Sequence, residues 1–188
     1  MKMKYNIDYF FHMLKLYSST AQGICGIRWE FVKQINAKHV LDYGSGCGFF
    51  KAFAPADVVV DNIDPMPVPQ TGIKHRHYDL ITFWDVLEHL PDVKDVLPVL
   101  DLTDHVAVTV PIKPDEVEWS DYKHNKPGEH LTYFTVETMT DLMKHFGFEL
   151  IKCGMPECPP REHIWSFLFK KTKADRSKAD GKKVNSKK

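Results

Sequence analysis

A glycine-rich stretch at residues 39–50 limits what this chain can fold into more than any other part of the sequence. A short apolar run ends in Asp42, and Gly44, Gly46 and Gly48 follow at alternate positions. Glycines this dense let the backbone turn sharply and approach a ligand closely, because no Cβ is in the way. Between a strand and a helix, such a loop forms the floor of a nucleotide-type cofactor site. Taken alone, the stretch also fits an ordinary glycine-rich turn.

The spacing of the glycines separates this loop from the dinucleotide-binding fingerprint. That fingerprint needs a third glycine at the sixth position, which is Phe49 here. The pattern Gly-x-Gly-x-Gly, with Asp42 two residues before it, resembles motif I of the class I S-adenosylmethionine (SAM)-dependent methyltransferases. The resemblance implies that SAM is the cofactor and S-adenosylhomocysteine (SAH) the product.

A second motif supports the same family. Residues 78–91 contain Asp85-Val86-Leu87-Glu88-His89 after an apolar run, and Pro91-Asp92 marks the start of the next helix. This resembles the fourth-strand motif of SAM methyltransferases related to ubiquinone-biosynthesis enzymes. The two motifs have the order and spacing expected for that family.

Apolar runs and capping signals predict the remaining elements. We predict strands at 39–43, 58–63, 80–84 and 105–110, with an antiparallel pair at 148–153 and 164–170. We predict helices at 5–17, 27–36, 49–53, 92–100 and after Thr135, the last one closed by Gly147. The fold class expected is α/β, a Rossmann-like three-layer sandwich whose sheet is mostly parallel with an antiparallel C-terminal hairpin.

Residues 65–77 depart from the family pattern. Here the family places a helix, a third strand and an acid that faces adenine, whereas this chain has a loop rich in proline and glycine. We therefore expect a shortened third-strand region, with adenine contacted by backbone near His77 or by the ring of Trp84.

The resemblance assigns cofactor-binding residues by position. Asp42, Gly44, Ser45 and Gly46 would lie nearest the methionine end of SAM, and Trp84, Asp85 and Val86 would face the same crevice. Asp64 would hold the ribose, since it follows a strand and lies 22 positions after Asp42, near the offset of ~20 seen for ribose acids. Asp61 is the alternative.

His89 and His130 are the candidate catalytic residues. An oxygen or nitrogen acceptor has to lose a proton, and histidine is the usual base near neutral pH. Either histidine can instead be structural.

The same region has the residue types of a metal site. Methyltransferases acting on the 3′-terminal 2′-hydroxyl of small RNAs bind a divalent metal with a similar Glu-x-x-Glu-His and a distant histidine. Here Asp85, Glu88 and His89, with His130 or His124, would correspond. We interpret these side chains as solvent-facing or capping, and we predict no metal.

Charge and composition bound the function and the partners. The net charge is zero, but residues 171–188 carry about +6, so residues 1–170 carry about −6. We divide the chain into N-terminal helices that form a possible lid (1–37), a SAM-binding domain (38–170) and a basic disordered tail (171–188). An acidic body favours a small-molecule acceptor over nucleic acid.

The four cysteines are too few for a disulfide scaffold, and no apolar run reaches about 18 residues. We therefore expect a cytoplasmic enzyme with no membrane segment.

The expected function is methyl transfer from SAM to an oxygen or nitrogen of a small molecule. One alternative is a nucleic-acid methyltransferase that uses the basic tail. Another is a catalytically silent SAM-fold protein that acts as a partner of other proteins.

Overall fold

The fold is built on a six-stranded sheet with helices on both faces. The computed structural model describes residues 7–65 and 70–172. The strands are β1 (His39–Tyr43), β2 (Val59–Ile63), β3 (Leu80–Trp84), β4 (His105–Pro111), β5 (Phe148–Gly154) and β6 (Ile164–Lys171). The helices are α1 (Ile7–Tyr17), α2 (Ala21–Val32), α3 (Phe49–Ala52), α4 (Leu97–Leu100) and α5 (Val136–His145).

The strand order is β2-β1-β3-β4-β6-β5. The first four strands in this order are parallel, while β6 is antiparallel to both β4 and β5. Among the described residues no strand pairs with the outer side of β2, which leaves it at the sheet edge. The predicted fold class is therefore confirmed, including the shortened third-strand region and the antiparallel C-terminal hairpin.

Two apolar cores lie on opposite faces of the sheet. Along β3 every residue is buried, and alternate side chains enter alternate cores. Ile81 and Phe83 pack in one core with Met139 of α5. Leu80 and Trp84 pack in the other core, which includes side chains of α2 and α3. The sheet is thus the middle layer of three.

Two helix predictions were wrong in their bounds. Helix α2 begins at Ala21, six residues before the predicted start, because Ala21 and Ile24 are buried despite the glycines that interrupt the apolar pattern. Residues 92–100 form a 3₁₀ turn (Val93–Val96) followed by the short α4. Pro98 lacks an N–H, so it cannot continue a helical hydrogen-bond ladder from that turn.

The parallel arrangement brings several loops to one edge of the sheet. The carboxyl ends of β1 to β4 meet there, and open α/β sheets bind their ligands at that edge. Helix α1 also lies at this edge and has no buried residue. Within residues 7–65 and 70–172, no helix is long and apolar enough to cross a membrane.

Candidate active site

A cavity of about 1150 Å³ opens at the carboxyl ends of the parallel strands. It is lined by all the residues that the sequence assigns to cofactor binding and catalysis, namely Asp42, Gly44, Ser45, Gly46, Asp64, Trp84, Asp85, Val86, His89 and His130. The alternative acid, Asp61, does not line it and instead accepts a hydrogen bond from Tyr78 Oη at 2.9 Å. His77 also lies away from the cavity, because it precedes the opposite end of β3.

The glycine loop packs tightly against the segment that follows β3. Gly44 has φ +74°, and a Cβ at this position would lie 2.4 Å from Val86 Cγ2. Its N–H donates to the Ile63 carbonyl at 2.8 Å. A side chain at Gly44 would therefore displace Val86 from the cavity wall, in addition to straining the backbone.

Asp64 links the end of β2 to the same loop. Its Oδ2 accepts a hydrogen bond from the Gly46 N–H at 2.6 Å. Nearby, Asn62 Nδ2 donates to Ser45 Oγ at 3.2 Å. The loop and the carboxylate are therefore joined by hydrogen bonds in one wall of the cavity.

Asp42 is a buried acid below the loop. It is 1% exposed, and its Oδ1 accepts a hydrogen bond from Thr82 Oγ1 at 2.8 Å. Burial raises the pKa of Asp42 to about 6, although the Thr82 hydrogen bond and the charge of Arg28 oppose the rise.

A buried ion-pair network, which the sequence analysis missed, contributes Arg28, Asp85 and Arg161 to the cavity lining. Arg28 of α2 contacts Asp85 at 2.8 Å and Glu157 at 2.7 Å. Arg161 contacts Glu157 at 2.5 Å and holds Asp85 with both Nη atoms at 3.0 Å. The side chain of Glu157 is fully buried, and the two positive charges balance the two negative ones.

Asp85 is held in an unusual conformation by this network. Its φ is +59°, and its N–H donates to Thr109 Oγ1 at 2.9 Å. Burial on its own would raise the pKa of Asp85, but Arg161 and Arg28 hold it well below the ordinary value. No local pattern signals the network, since Arg28 and Glu157 are 129 positions apart.

A second polar cluster consists of Glu88, His89 and His130. One ligand atom from each residue lies within 4.8 Å of the other two. Glu88 and His130 are 2% and 6% exposed, so of the interpretation of the cluster as solvent-facing or capping side chains, the solvent-facing part is wrong for these two residues. The Leu131 N–H donates to the Glu88 carbonyl at 2.7 Å, which holds the His130 segment against the turn that contains Glu88.

The hydrogen bonds of this cluster are incomplete. Glu88 Oε2 and His130 Nδ1 are buried without a hydrogen-bond partner among the described residues. His89 Nδ1 lies 2.9 Å from the Glu129 carbonyl oxygen. Because a carbonyl only accepts, this nitrogen carries a hydrogen, and in the neutral form of the ring the lone pair then lies on Nε2.

Burial shifts the pKa of both buried members of this cluster. The pKa of Glu88 is raised well above its ordinary value, mainly by burial and secondly by the negative charge of Asp85. Burial is the largest cause of the lowered pKa of His130, and the electrostatic effect of His89 is the second; together they bring it to about 4. The His130 ring is therefore neutral at pH 7.

Helix α1 covers part of the cavity. Tyr9, His12 and Met13 line it from this helix. Cys47 Sγ lies 3.9 Å from the Phe10 carbonyl oxygen, so α1 touches the glycine loop directly.

These features define a class of protein. A parallel sheet with a glycine-rich loop after its first strand, an acid at the end of the second strand and a cavity between them is the site of an α/β enzyme that binds a nucleotide-type cofactor.

Comparison with protein families identifies the family. Residues 24–152 match the methyltransferase domain family, which covers more than half of the chain. The chain therefore belongs to this family, and the prediction of a methyltransferase is confirmed. Comparison with curated proteins gives no match.

Solved structures share the fold. The 1,6-didemethyltoxoflavin-N1-methyltransferase of Burkholderia thailandensis, crystallised with 1,6-didemethyltoxoflavin and SAH, is 15% identical with a TM-score of 0.64, covering 88% of this chain and 85% of that chain. A SAM-dependent methyltransferase from Archaeoglobus fulgidus is 13% identical with a TM-score of 0.63, covering 87% and 100%. Magnesium protoporphyrin IX methyltransferase from Synechocystis PCC 6803, with SAH bound, is 13% identical with a TM-score of 0.57, covering 83% and 84%.

Proposed function

We propose that this protein transfers a methyl group from SAM to an oxygen or nitrogen of a small-molecule acceptor and releases SAH. The cavity carries this proposal. Its volume of about 1150 Å³ exceeds the ~300–1000 Å³ of a pocket for one ligand. The glycine loop and the two histidines all line this cavity, and its volume leaves room for a cofactor and an acceptor together.

The residues present fit SAM as the cofactor. Gly44 leaves no space for a Cβ beside Val86, and Asp64 supplies a carboxylate at the strand end where a ribose would lie. Structural neighbours crystallised with SAM or SAH support the assignment. SAM supplies a methyl group already activated on a positively charged sulfur, so the main task of the protein is to align the acceptor.

The remaining cofactor contacts are assigned to the segment after β3. Trp84, Asp85 and Val86 line the cavity there, and Val86 packs on the glycine loop. Since Asp85 is held by two arginines, we assign it to shaping the wall. The Val-Leu-Glu-His sequence of this segment supports kinship with the ubiquinone-biosynthesis-like group.

His89 and His130 are proposed to act on the acceptor. Nδ1 of His89 donates to the Glu129 carbonyl, so the neutral form of this ring has its lone pair on Nε2. His130 lies beside it, with 4.9 Å between ring centroids. A lone pair at this place can accept the proton that an acceptor O–H or N–H loses.

The proposed domain organisation is consistent with the site. We assign residues 38–170 to the methyltransferase domain and the helices within 1–37 to a lid, since α1 and α2 both line the cavity. The basic tail, 171–188, lies outside the described residues except for Lys171 and Thr172. All four cysteines are free, which supports a reducing, cytoplasmic location.

Calorimetric titration of SAM and SAH tests the proposal. Asp64→Ala should weaken SAM binding at least about tenfold, because hydrogen bonds to a charged group contribute about 1.5–3 kcal/mol. Asp64→Asn keeps an acceptor for the Gly46 N–H, so it separates loss of ribose contacts from loosening of the loop. Asp57→Asn, an exposed aspartate outside the cavity, is the matched control.

Two outcomes would contradict the proposal. If the wild-type protein binds neither SAM nor SAH, the alternative hypothesis of a catalytically silent partner protein is favoured. If it binds SAM tightly and no small molecule is methylated in an acceptor screen, the same hypothesis is favoured and the histidines have no catalytic task.

A further inference from the structure

We propose that Gln70 and Thr71 are positioning residues for the cofactor, which hold the end of β2, and through it the glycine loop, in the conformation that binds the ribose of SAM. The inference rests on the proposed function and deepens it, because it names residues that set the affinity for the cofactor without touching the reacting atoms. Both residues belong to the connection between β2 and β3. Gln70 and Asp64 both line the cavity.

The main-chain groups at the end of β2 alternate between two sides. The Ile63 carbonyl accepts the Gly44 N–H at 2.8 Å, so the main chain of Ile63 faces β1 and the loop that follows it. The residues on either side, Asn62 and Asp64, therefore direct their main-chain N–H and C=O groups to the open side of the sheet. Among the described residues no strand is paired there, so these groups need other partners.

The side-chain amide of Gln70 supplies the partners of Asp64. Its Oε1 accepts a hydrogen bond from the Asp64 N–H at 2.9 Å, and its Nε2 donates to the Asp64 carbonyl. These N–H and C=O groups belong to the peptide planes on the two sides of the Asp64 Cα, so the paired amide restrains both backbone torsions of this residue. The direction in which the Asp64 side chain leaves the backbone is thereby restrained before any ligand binds.

Thr71 makes the equivalent contacts to Asn62. Its Oγ1 accepts a hydrogen bond from the Asn62 N–H at 2.7 Å. The N–H groups of Thr71 and Gly72 donate to the Asn62 carbonyl at 3.2 and 3.3 Å. Residues 70–72 therefore take the hydrogen-bonding place of a neighbouring strand beside Asn62 and Asp64.

The two anchored residues reach the glycine loop with their side chains. Asp64 Oδ2 accepts the Gly46 N–H at 2.6 Å, and Asn62 Nδ2 donates to Ser45 Oγ at 3.2 Å. Two parallel chains of hydrogen bonds therefore run from residues 70–71 to the loop, one through Asp64 and one through Asn62.

The effect of Gln70 is expected in binding rather than in folding. Gln70 is exposed, so its replacement opens no cavity in the core and changes global stability little. A site that is already held in its binding conformation loses less conformational entropy when the ligand arrives, and this raises the affinity. The Gln70 amide therefore contributes to SAM affinity through Asp64.

Calorimetric titration of SAH into the full chain tests the inference. Gln70→Met keeps the length of the side chain and removes both hydrogen-bonding groups of the amide, so it should weaken SAH binding about three- to tenfold. Thr71→Val removes the acceptor of the Asn62 N–H and should weaken SAH binding by a similar factor. Gln34→Met, at an exposed glutamine outside the cavity, is the matched control and should leave SAH binding unchanged.

A double-mutant cycle distinguishes positioning from an independent effect. If Gln70 acts through Asp64, Gln70→Met should cause no further loss of SAH affinity in the Asp64→Ala background, whereas independent effects add. The 2′-deoxy analogue of SAH gives a second measurement. The preference of the wild-type protein for SAH over this analogue should narrow in Gln70→Met, because the Asp64 carboxylate is no longer held toward the ribose hydroxyls.

The outcomes distinguish the positioning role from the proposed function. SAH binding by Gln70→Met or Thr71→Val that equals binding by Gln34→Met would overturn the role of that residue and leave the proposed function intact. Full additivity of Gln70→Met with Asp64→Ala would also overturn the action through Asp64. If the wild-type protein binds neither SAM nor SAH, the proposed function fails and the positioning role fails with it. Because the two variants test separate chains of hydrogen bonds, a folding defect in one does not block the test.

Discussion

Asp42 is a residue whose burial opposes stability at neutral pH. Its pKa is about 6 in the folded chain against an ordinary 3.8. The Asp42 carboxyl group therefore binds its proton more tightly in the folded state than in the unfolded state. The resulting stabilisation is complete below pH ~4 and is lost as the pH rises through 6.

We predict that Asp42→Asn raises the free energy of unfolding at pH 8 by up to about 3 kcal/mol and changes it little at pH 4. Urea unfolding at both pH values measures this. Asp141→Asn, on an exposed position of α5, is the control. A loss of stability at pH 8 in Asp42→Asn would show that the ionised carboxylate is stabilised by its surroundings despite its burial.

Gly44 is the residue with the strictest requirement for glycine. Gly44→Ala would place a Cβ 2.4 Å from Val86 Cγ2 at φ +74°, so we predict a loss of about 1–3 kcal/mol in stability and much weaker SAM binding. Gly48→Ala shares the positive φ but meets no atom within 4 Å, and should cost only about 1 kcal/mol.

A second substitution isolates the steric contribution to the losses of stability and SAM binding in Gly44→Ala. Val86→Ala in the Gly44→Ala background frees the space and should recover part of both losses, measured by thermal unfolding and calorimetry. No recovery would mean that backbone strain accounts for the whole effect.

At the scale of elements, the ion-pair network joins α2, the end of β3 and the connection between β5 and β6. Arg161→Gln leaves two buried carboxylates, Asp85 and Glu157, sharing the single positive charge of Arg28, so we predict a loss of about 3–5 kcal/mol. Lys123→Gln breaks an exposed pair with Glu162 and should cost less than about 1 kcal/mol. Denaturant unfolding distinguishes the two, and equal small losses would mean that water reaches Asp85 and Glu157.

The elements themselves were largely predictable. Strands such as β3 can be predicted from continuous apolar runs, because a strand that is buried on both faces has apolar side chains at nearly every position. The start of α2 was missed because Gly23 and Gly26 weaken the helical signal, while tertiary packing of Ala21 and Ile24 overrides it.

The site was predictable only where its residues follow a local spacing. Asp64 follows from its place after a strand, and the glycine loop from its own pattern. The contact of Glu88 with the His130 segment depends on a backbone hydrogen bond across the loop after β4. Arg28 and Glu157 meet only because the sheet brings their elements together.

At the scale of the whole molecule, the described residues that line the cavity lie between Tyr9 and Ile164. We therefore predict that deleting residues 173–188 leaves SAM affinity and methylation of a small acceptor unchanged. Calorimetry and a SAH-release assay measure these. If the deletion instead abolishes salt-dependent binding to nucleic acid together with turnover, the nucleic-acid methyltransferase alternative is favoured.

The buried network also bears on the order in which the molecule can be completed during synthesis. Arg28 emerges first, Asp85 follows 57 residues later, and Glu157 only after 129. At ~5–20 residues per second, the second acid appears roughly 6–26 s after Arg28, and Arg161 follows it four residues later. The network of a nascent chain is therefore incomplete until residues 157–161 have been synthesised, and the connection between β5 and β6 is the segment that completes it.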